Sequence, residues 1–338
     1  MTKVFLSHSS AQKGFVREIA KKLSKQDIVY DEYTFEEGEK TISEIFIGIE
    51  QTCLFVLFIS DESLNSSWVK SEIKEAKEKL DSNSLLRIYP VIIDKNINYD
   101  DPRIPDWLKE EYNLKYVSKP TKISNRISSQ LKMLNWNQYP KNQKRSNIFV
   151  GRTSQIPSYE ERIFNFDKPK PIVFIATGLP SIGRRKFTNH CLTKTNIVTI
   201  EYSPVTLVTN YRDSIENFII GLYDLGFSDV SRSELTNFLK MEMNKKVELA
   251  TTLLLEIEEH EKLLSIVDNF SIVKEDGFLV EWFTQIINKI EHINRLFISL
   301  ISRRRVKFKE ISRNNRIFAI AIPELKVNEK KNTISNIS

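Results

Sequence analysis

Apolar positions recur along this chain in short continuous runs and at helical spacing, and the alternation of the two predicts strand after helix after strand. Residues 3–7 (KVFLS) are an apolar run ending in polar residues, as a buried parallel strand would. Phe15, Ile19, Ala20 and Leu23 follow at helical spacing, residues 28–30 predict a second strand, and Ile42, Ile45, Phe46 and Ile49 mark the next helix. Residues 53–60 (CLFVLFIS) are apolar throughout, which suits a central strand covered on both faces. Residues 64–80 (LNSSWVKSEIKEAKEKL) predict a helix with Ile73, Ala76 and Leu80 on its inner stripe. Ser66 or Ser67 caps it, because a short hydroxyl accepts from the exposed N–H groups of the first turn. Residues 86–94 predict a fourth strand, 114–117 a short fifth and 123–134 a closing helix.

A linker of low hydrophobicity, residues 135–147 (NWNQYPKNQKRSN), separates this half from a second one. There the pattern predicts strands at 171–177, 197–202, 263–268, 296–302 and 318–322, with helices after GLPSIGRRKF and over 211–225 and 233–260. Both halves thus read as α/β, with a parallel sheet between helices on both faces. The expected division is residues 1–134, linker 135–147, a second domain at 148–325 and a polar tail at 326–338.

Composition narrows the class. The chain has 338 residues, 41 % hydrophobic and 28 % charged, which is ordinary for a soluble protein. No run of about 18 apolar residues exists, so no membrane span is expected. The first residues lack a signal-peptide pattern and enter a strand directly. Cys53 and Cys191 are the two cysteines, far apart in apolar or helical contexts, which points to a reducing, cytoplasmic protein rather than a disulfide framework. With those two and four scattered histidines, zinc-ligand spacing is missing and no metal site is expected. The net charge of +6 lies mostly in residues 141–145, 184–186, 303–309 and 326–331. No predicted helix carries a basic face interleaved with aromatics, which argues against nucleic-acid binding.

Ligands of open parallel sheets bind at the carboxyl ends of strands. Ser7, His8, Ser9, Asp31 and Glu32 gather on that rim, beside Ser60 and the start of the helix bearing Trp68. Trp68 and Glu72 are four residues apart, hence on one helix face. An aromatic plate beside a carboxylate could hold a flat, cationic ring; the plainer alternative is a core-edge Trp and a solvated Glu pairing with a nearby Lys.

Three stretches carry a resemblance to TIR domains: VFLSHSS, YDEYTFEEGEKTISEI and LFVLFISDESLNSSWVKSEI. It covers residues 1–134 and implies a flavodoxin-like fold. In TIR enzymes that cleave NAD, the catalytic carboxylate lies four residues after a Trp, which is Glu72 here. The resemblance implies substrate contacts at Ser7, His8, Ser9, Ser10, Asp31, Glu36 and Trp68. Ser9 and Ser10 fall where some members carry arginines, and His8 where Tyr is common. Glu36, Glu37 and Gly38 match the BB loop, whose Glu37 and Gly38 are expected at TIR–TIR contacts. The implied activity is hydrolysis of the nicotinamide–ribose bond of NAD, switched on by self-assembly, depleting NAD in bacterial antiphage defence. The products are nicotinamide and ADP-ribose or a cyclic form. NAD is then substrate, and no cofactor is required. The alternative is a non-enzymatic adaptor acting through TIR–TIR contacts.

The second half resembles the nucleotide-binding domain of STAND-type P-loop NTPases, through FVGR, the GLPSIG loop, the strand ending in Asp268, and Ser302-Arg303. It departs where it matters. A working P-loop places Lys then Ser/Thr after its second Gly; this chain has Gly183-Arg184-Arg185, and Asn269 follows Asp268. The resemblance therefore implies a degenerate site at Gly178, Gly183, Arg184, Arg185 and Asp268 without ATP hydrolysis. ATP or ADP binding without turnover, and a fold kept for oligomer contacts, both stay open. The implied partners are further copies of the chain, and a sensor subunit or phage-derived trigger.

Overall fold

The computed structural model describes residues 3–29, 41–138, 149, 151–199, 204–230, 235–290, 296–307, 309 and 314–325. The side chains of residues 41–45 and 136–138 are outside that set. The chain divides into two compact units, Met1–Gln143 and Lys144–Ser338.

The first unit runs β1 (Val4–Ser7), α1 (Lys13–Lys22), β2 (Ile28–Val29), α2 (Thr41–Glu50), β3 (Leu54–Ile59), α3 (Asp61–Asn65), α4 (Ser67–Asp81), β4 (Arg87–Ile92), α5 (Asp106–Glu111) and α6 (Pro120–Gln138). Its four described strands are parallel in the order β2-β1-β3-β4. All six residues of β3 are buried, because it lies inside the sheet with helices on both faces. Phe55, Leu57 and Ile59 face Val69, Ile73 and Ala76 of α4, together with Phe5 of β1. Leu54, Val56 and Phe58 pack in the opposite core with Ile19 of α1 and Ile123 and Ile127 of α6.

Two local expectations change. The helix expected over 64–80 is two helices. Ser60 caps α3 in a reciprocal box with Ser63, and the chain leaves the helix at Ser66 (φ −72°, ψ 123°). Ser66 then accepts from the Val69 N–H and starts α4. Residues 114–117 make a single parallel bridge, Ile92 to Tyr116, rather than a strand.

The second unit runs α7 (Gln155–Ile163), β5 (Val173–Thr177), α8 (Arg184–Lys194), β6 (Val205–Val208), α9 (Ile215–Asp224), α10 (Met243–Glu258), β7 (Leu263–Asp268), α11 (Glu281–Lys289), β8 (Phe297–Ser302) and β9 (Ile317–Ala321). Its sheet is parallel, in the order β6-β7-β8-β5-β9. Val173 and Ile175 of β5 join the core of α9, α10 and α11, while Phe174 and Ala176 pack with Tyr159 of α7 and Phe187 and Cys191 of α8. Here too the sequence reading shifts. Ile197 and Val198 lie in the bend after α8, not in a strand; residues 200–202 of that expectation lie outside the described residues, and the next described strand is β6 at Val205. Of the helix expected over 233–260, residues 233 and 234 lie outside the described residues; the described part holds a 3-10 turn (Asn237–Lys240) and α10, parted by the extended Met241. Helices α7 and α11 were not marked by the apolar pattern.

From β5 the chain crosses to the far edge at β6, and from β8 it passes β5 to reach β9. Connections thus leave opposite sides of the sheet at β5 and β8, the place where open α/β sheets form a crevice at their carboxyl ends. Both cysteines are free and buried; burial pushes the Cys191 thiol up to about 12. Among the described residues no helix is long and apolar enough to cross a membrane.

Candidate active site

The rim of the first sheet is assembled from the ends of β1 and β3 and the start of α4. Strand alternation puts Phe5 and Ser7 on one face of β1, the face on which α4 packs. Ser7 is 1 % exposed, and its hydroxyl donates to Glu72 Oε2. Glu72 itself is 7 % exposed. The reason lies in the register of α4: Val69, Glu72, Ile73 and Ala76 are its buried residues, at positions i, i+3, i+4 and i+7. The carboxylate occupies a core-stripe position. This corrects the reading of Glu72 as a solvated side chain. An unpartnered carboxylate there would be costly, and the Ser7 hydroxyl is one of the groups that offsets the cost. Trp68, in the first turn of the same helix, is 49 % exposed. It is neither an enclosed core residue nor a closed wall.

His8 and Ser9 are tied to neighbouring groups. His8 Nδ1 lies 3.0 Å from the Leu6 carbonyl, so that nitrogen carries the proton of the hydrogen bond. The Ser9 hydroxyl donates to Gln12 Oε1, and Gln12 Nε2 donates to Glu62 Oε2 at 2.6 Å, which links the loop after β1 to α3. Ser10 is exposed. A second clasp, which the sequence reading missed, holds the other side of the rim. Arg103 donates to Asp61 Oδ1 at 2.7 Å and to Asp101 Oδ2 at 2.8 Å. Hydrogen bonds from Arg103 hold the Asp101 carboxyl down at about 2. Asp31, Glu32, Glu36, Glu37 and Gly38 lie outside the described residues. Among the described residues no group of three His, Cys, Asp or Glu side chains could hold a metal.

The rim therefore brings a strand-end serine and a helix carboxylate into contact inside a parallel sheet, and its sequence frame is that of a known family: residues 4–122 match the family described as the TIR domain. Residues 4–122 are a TIR domain. Two solved structures align with nearly the whole chain but superpose poorly. A metazoan TIR-STING receptor from C. gigas is 13 % identical, with 99 % of this chain and 96 % of that one covered at a TM-score of 0.29. NtrX from Brucella abortus in complex with ATP is 11 % identical, with 99 % and 71 % covered at a TM-score of 0.26. Scores that low say nothing about either site. No curated protein matches the chain.

The TIR match ends before the second unit, whose candidate site follows from its own geometry. The loop from Gly178 to Gly183 leaves the carboxyl end of β5 and enters α8. Gly178 has φ +151°, and a Cβ there would lie 2.7 Å from the Ile322 carbonyl oxygen, so no larger residue fits. Arg152 Nη2 donates to the Ile182 carbonyl at 2.9 Å and ties the loop down. Arg184 Nη1 is buried without a hydrogen-bond partner. Burial, and after it the like charge of Arg303, lowers the pKa of that guanidinium. Arg185 is exposed. Asp268 ends β7 with both oxygens engaged inside the protein. Oδ1 accepts from the Ser271 and Ile272 N–H groups at 2.8 Å each, and Oδ2 from the Val273 N–H at 3.3 Å and the Ser302 hydroxyl at 2.8 Å. Such a carboxylate caps the turn after its strand.

Proposed function

We propose that the TIR domain hydrolyses NAD, with Glu72 as the catalytic carboxylate. The observation that carries this reading is the placement of Glu72: a carboxylate in the buried stripe of α4, at the carboxyl-end rim, four residues after Trp68 and held by Ser7. Cleavage breaks the bond between the ribose carbon and the pyridinium nitrogen. The electron pair goes to nicotinamide, which leaves neutral, so no acid is needed to protonate it. Positive charge builds on the ribose, as in glycoside hydrolysis, and a carboxylate beside that carbon stabilises it or bonds to it briefly. Water then adds to the same carbon and releases a proton, giving ADP-ribose; attack by a hydroxyl of the same molecule would give a cyclic form.

Assembly through TIR–TIR contacts is the activating event in this proposal, with Glu37 and Gly38 at the contact and the second unit raising the local concentration of TIR domains. Depletion of NAD in a phage-infected bacterium is the consequence we infer, triggered through a sensor subunit or a phage product. The contacts proposed for Ser9, Ser10, Asp31, Glu36 and Trp68 would complete the substrate pocket.

The test is nicotinamide release by the purified, concentrated chain and by its Glu72→Gln variant. Gln keeps the size of the side chain and an oxygen that can accept from Ser7, so the variant should fold and assemble. It should lose ~10²–10³ in rate, the usual cost of one preorganised electrostatic contact. Turnover by Glu72→Gln at the wild-type rate would move the chemistry to another acid. A wild-type protein that assembles and releases no nicotinamide would leave the adaptor reading.

A further inference from the structure

Ser7 was expected at the substrate, but its surroundings give it another task. It is buried at the last position of β1, where the parallel register sets it opposite Leu57 of β3. Its side chain lies on the face covered by α4, and its hydroxyl donates to Glu72 Oε2 across 65 residues of sequence. A hydroxyl has one proton to donate, so while it holds Glu72 it cannot also donate to a ligand. We infer that Ser7 is a positioning residue for the Glu72 carboxylate, orienting it from the end of β1 rather than touching NAD. This rests on the reading of Glu72 as the catalytic group.

The physical case is one of rotamer control. Glutamate has three side-chain torsions, and its carboxylate turns freely about the last one. Val69, Ile73 and Ala76 anchor the helix on both sides of Glu72 but do not fix the plane of its carboxylate. A donor fixed to a central β-strand does, since the position of Ser7 is set by the ladder from Val4 to Ser7. A carboxylate that stabilises a developing cation works best when its orientation is set before the charge appears. Losing this donor would remove one of the contacts that orient the carboxylate, and the loss would fall on the transition state rather than on NAD binding.

The experiment compares Ser7→Ala, Ser7→Thr and wild type for kcat and KM in nicotinamide release, all as the assembled full chain. A hydrogen bond to a charged group corresponds to roughly a tenfold to hundredfold effect on rate. The expected result is a kcat lowered by that factor in Ser7→Ala, a KM for NAD within about twofold, and recovery in Ser7→Thr, which keeps the hydroxyl and suits a strand. A KM that rises with kcat unchanged would overturn the inference and put Ser7 back at the substrate. Unchanged kcat and KM in Ser7→Ala would overturn it as well. A double-mutant cycle on unfolding, with Ser7→Ala, Glu72→Ala and both together, separates this from failure of the hydrolase reading. Coupling between the sites with an inactive wild type sinks the reaction, and the positioning role with it, while leaving the hydrogen bond. An active wild type without coupling overturns the Ser7 inference alone.

Discussion

Replacing Asp268 by Asn asks whether the acid at the end of β7 serves the fold or a metal ion. All four groups facing its carboxylate are donors: the N–H groups of Ser271, Ile272 and Val273 and the Ser302 hydroxyl. Asparagine is nearly isosteric but offers one acceptor oxygen. If that oxygen stays on Ser271 and Ile272, the amide nitrogen points its protons at the Val273 N–H. The Ser302 hydroxyl can turn to accept from the amide, although it already accepts from the Arg304 N–H at 3.2 Å. Two charge-assisted bonds become neutral at about 1 kcal/mol each, and one buried N–H loses its acceptor at about 1–3 kcal/mol. The expected cost is about 3–5 kcal/mol, or a Tm lowered by roughly 6–20 °C for a unit of this size. Calorimetry on the full chain measures it, and faster hydrogen exchange in peptides spanning residues 263–273 assigns it to the second unit. An Asp268→Asn protein within about 0.5 kcal/mol of wild type that has lost Mg²⁺-dependent ATP binding would refute the reasoning and make Asp268 a metal ligand.

Two further predictions concern the same unit. The hydrogen bond from Lys246 holds the Glu216 carboxyl down at about 2, against an ordinary value of 4.5; a depressed carboxylate stabilises the fold above its unfolded pKa and loses that contribution as pH falls through the folded one. Urea midpoints should therefore drop more steeply between about pH 4.5 and 2 in wild type than in Lys246→Met, and parallel curves would show that the pair contributes nothing. Phosphate release from Mg²⁺-ATP should be absent in the full chain, because Gly183 is followed by Arg184 and Arg185 rather than by the Lys and hydroxyl residue that a working P-loop carries; a release rate that Arg184→Ala abolishes would refute this.

The apolar pattern marks most plainly the strands buried on both faces. Residues 54–59, 263–268 and 297–302 are mostly apolar and almost fully buried because helices cover both sides of their sheets. The edge strand β6 escaped for the opposite reason. Only Val205 and Leu207 face inward, Thr206 and Val208 are exposed, and the run is too short to stand out from its surroundings. The break between α3 and α4 is half legible: Ser66 is a marked cap, but Ser60, which caps α3, is not, and apolar residues continue through Leu64 and Val69 as if the helix were continuous. Capping chemistry, not periodicity, decided the outcome there.

The candidate site is legible in its Trp68–Glu72 spacing and not in its burial. Glu72 lies in a run rich in Lys and Glu, where a carboxylate reads as solvated, and the inner stripe was taken from Ile73, Ala76 and Leu80 alone. Extending that stripe back by one turn reaches Val69, and the position between them on the buried face is Glu72. A polar residue in an apolar stripe is a local departure from pattern, and Ser7, at the end of the apolar run VFLS, is another. Each alone has a bland explanation, as a helix-surface Glu or a strand terminus. Their meeting across two elements makes the departures mutually dependent: the serine supplies one of the carboxylate's partners, and the carboxylate is the acceptor a buried hydroxyl needs. An apolar pair in the same volume would be the simpler core. Sequences depart from such local rules chiefly at functional sites, so two matched departures at the carboxyl-end rim are a stronger pointer to chemistry than the Trp68–Glu72 spacing alone.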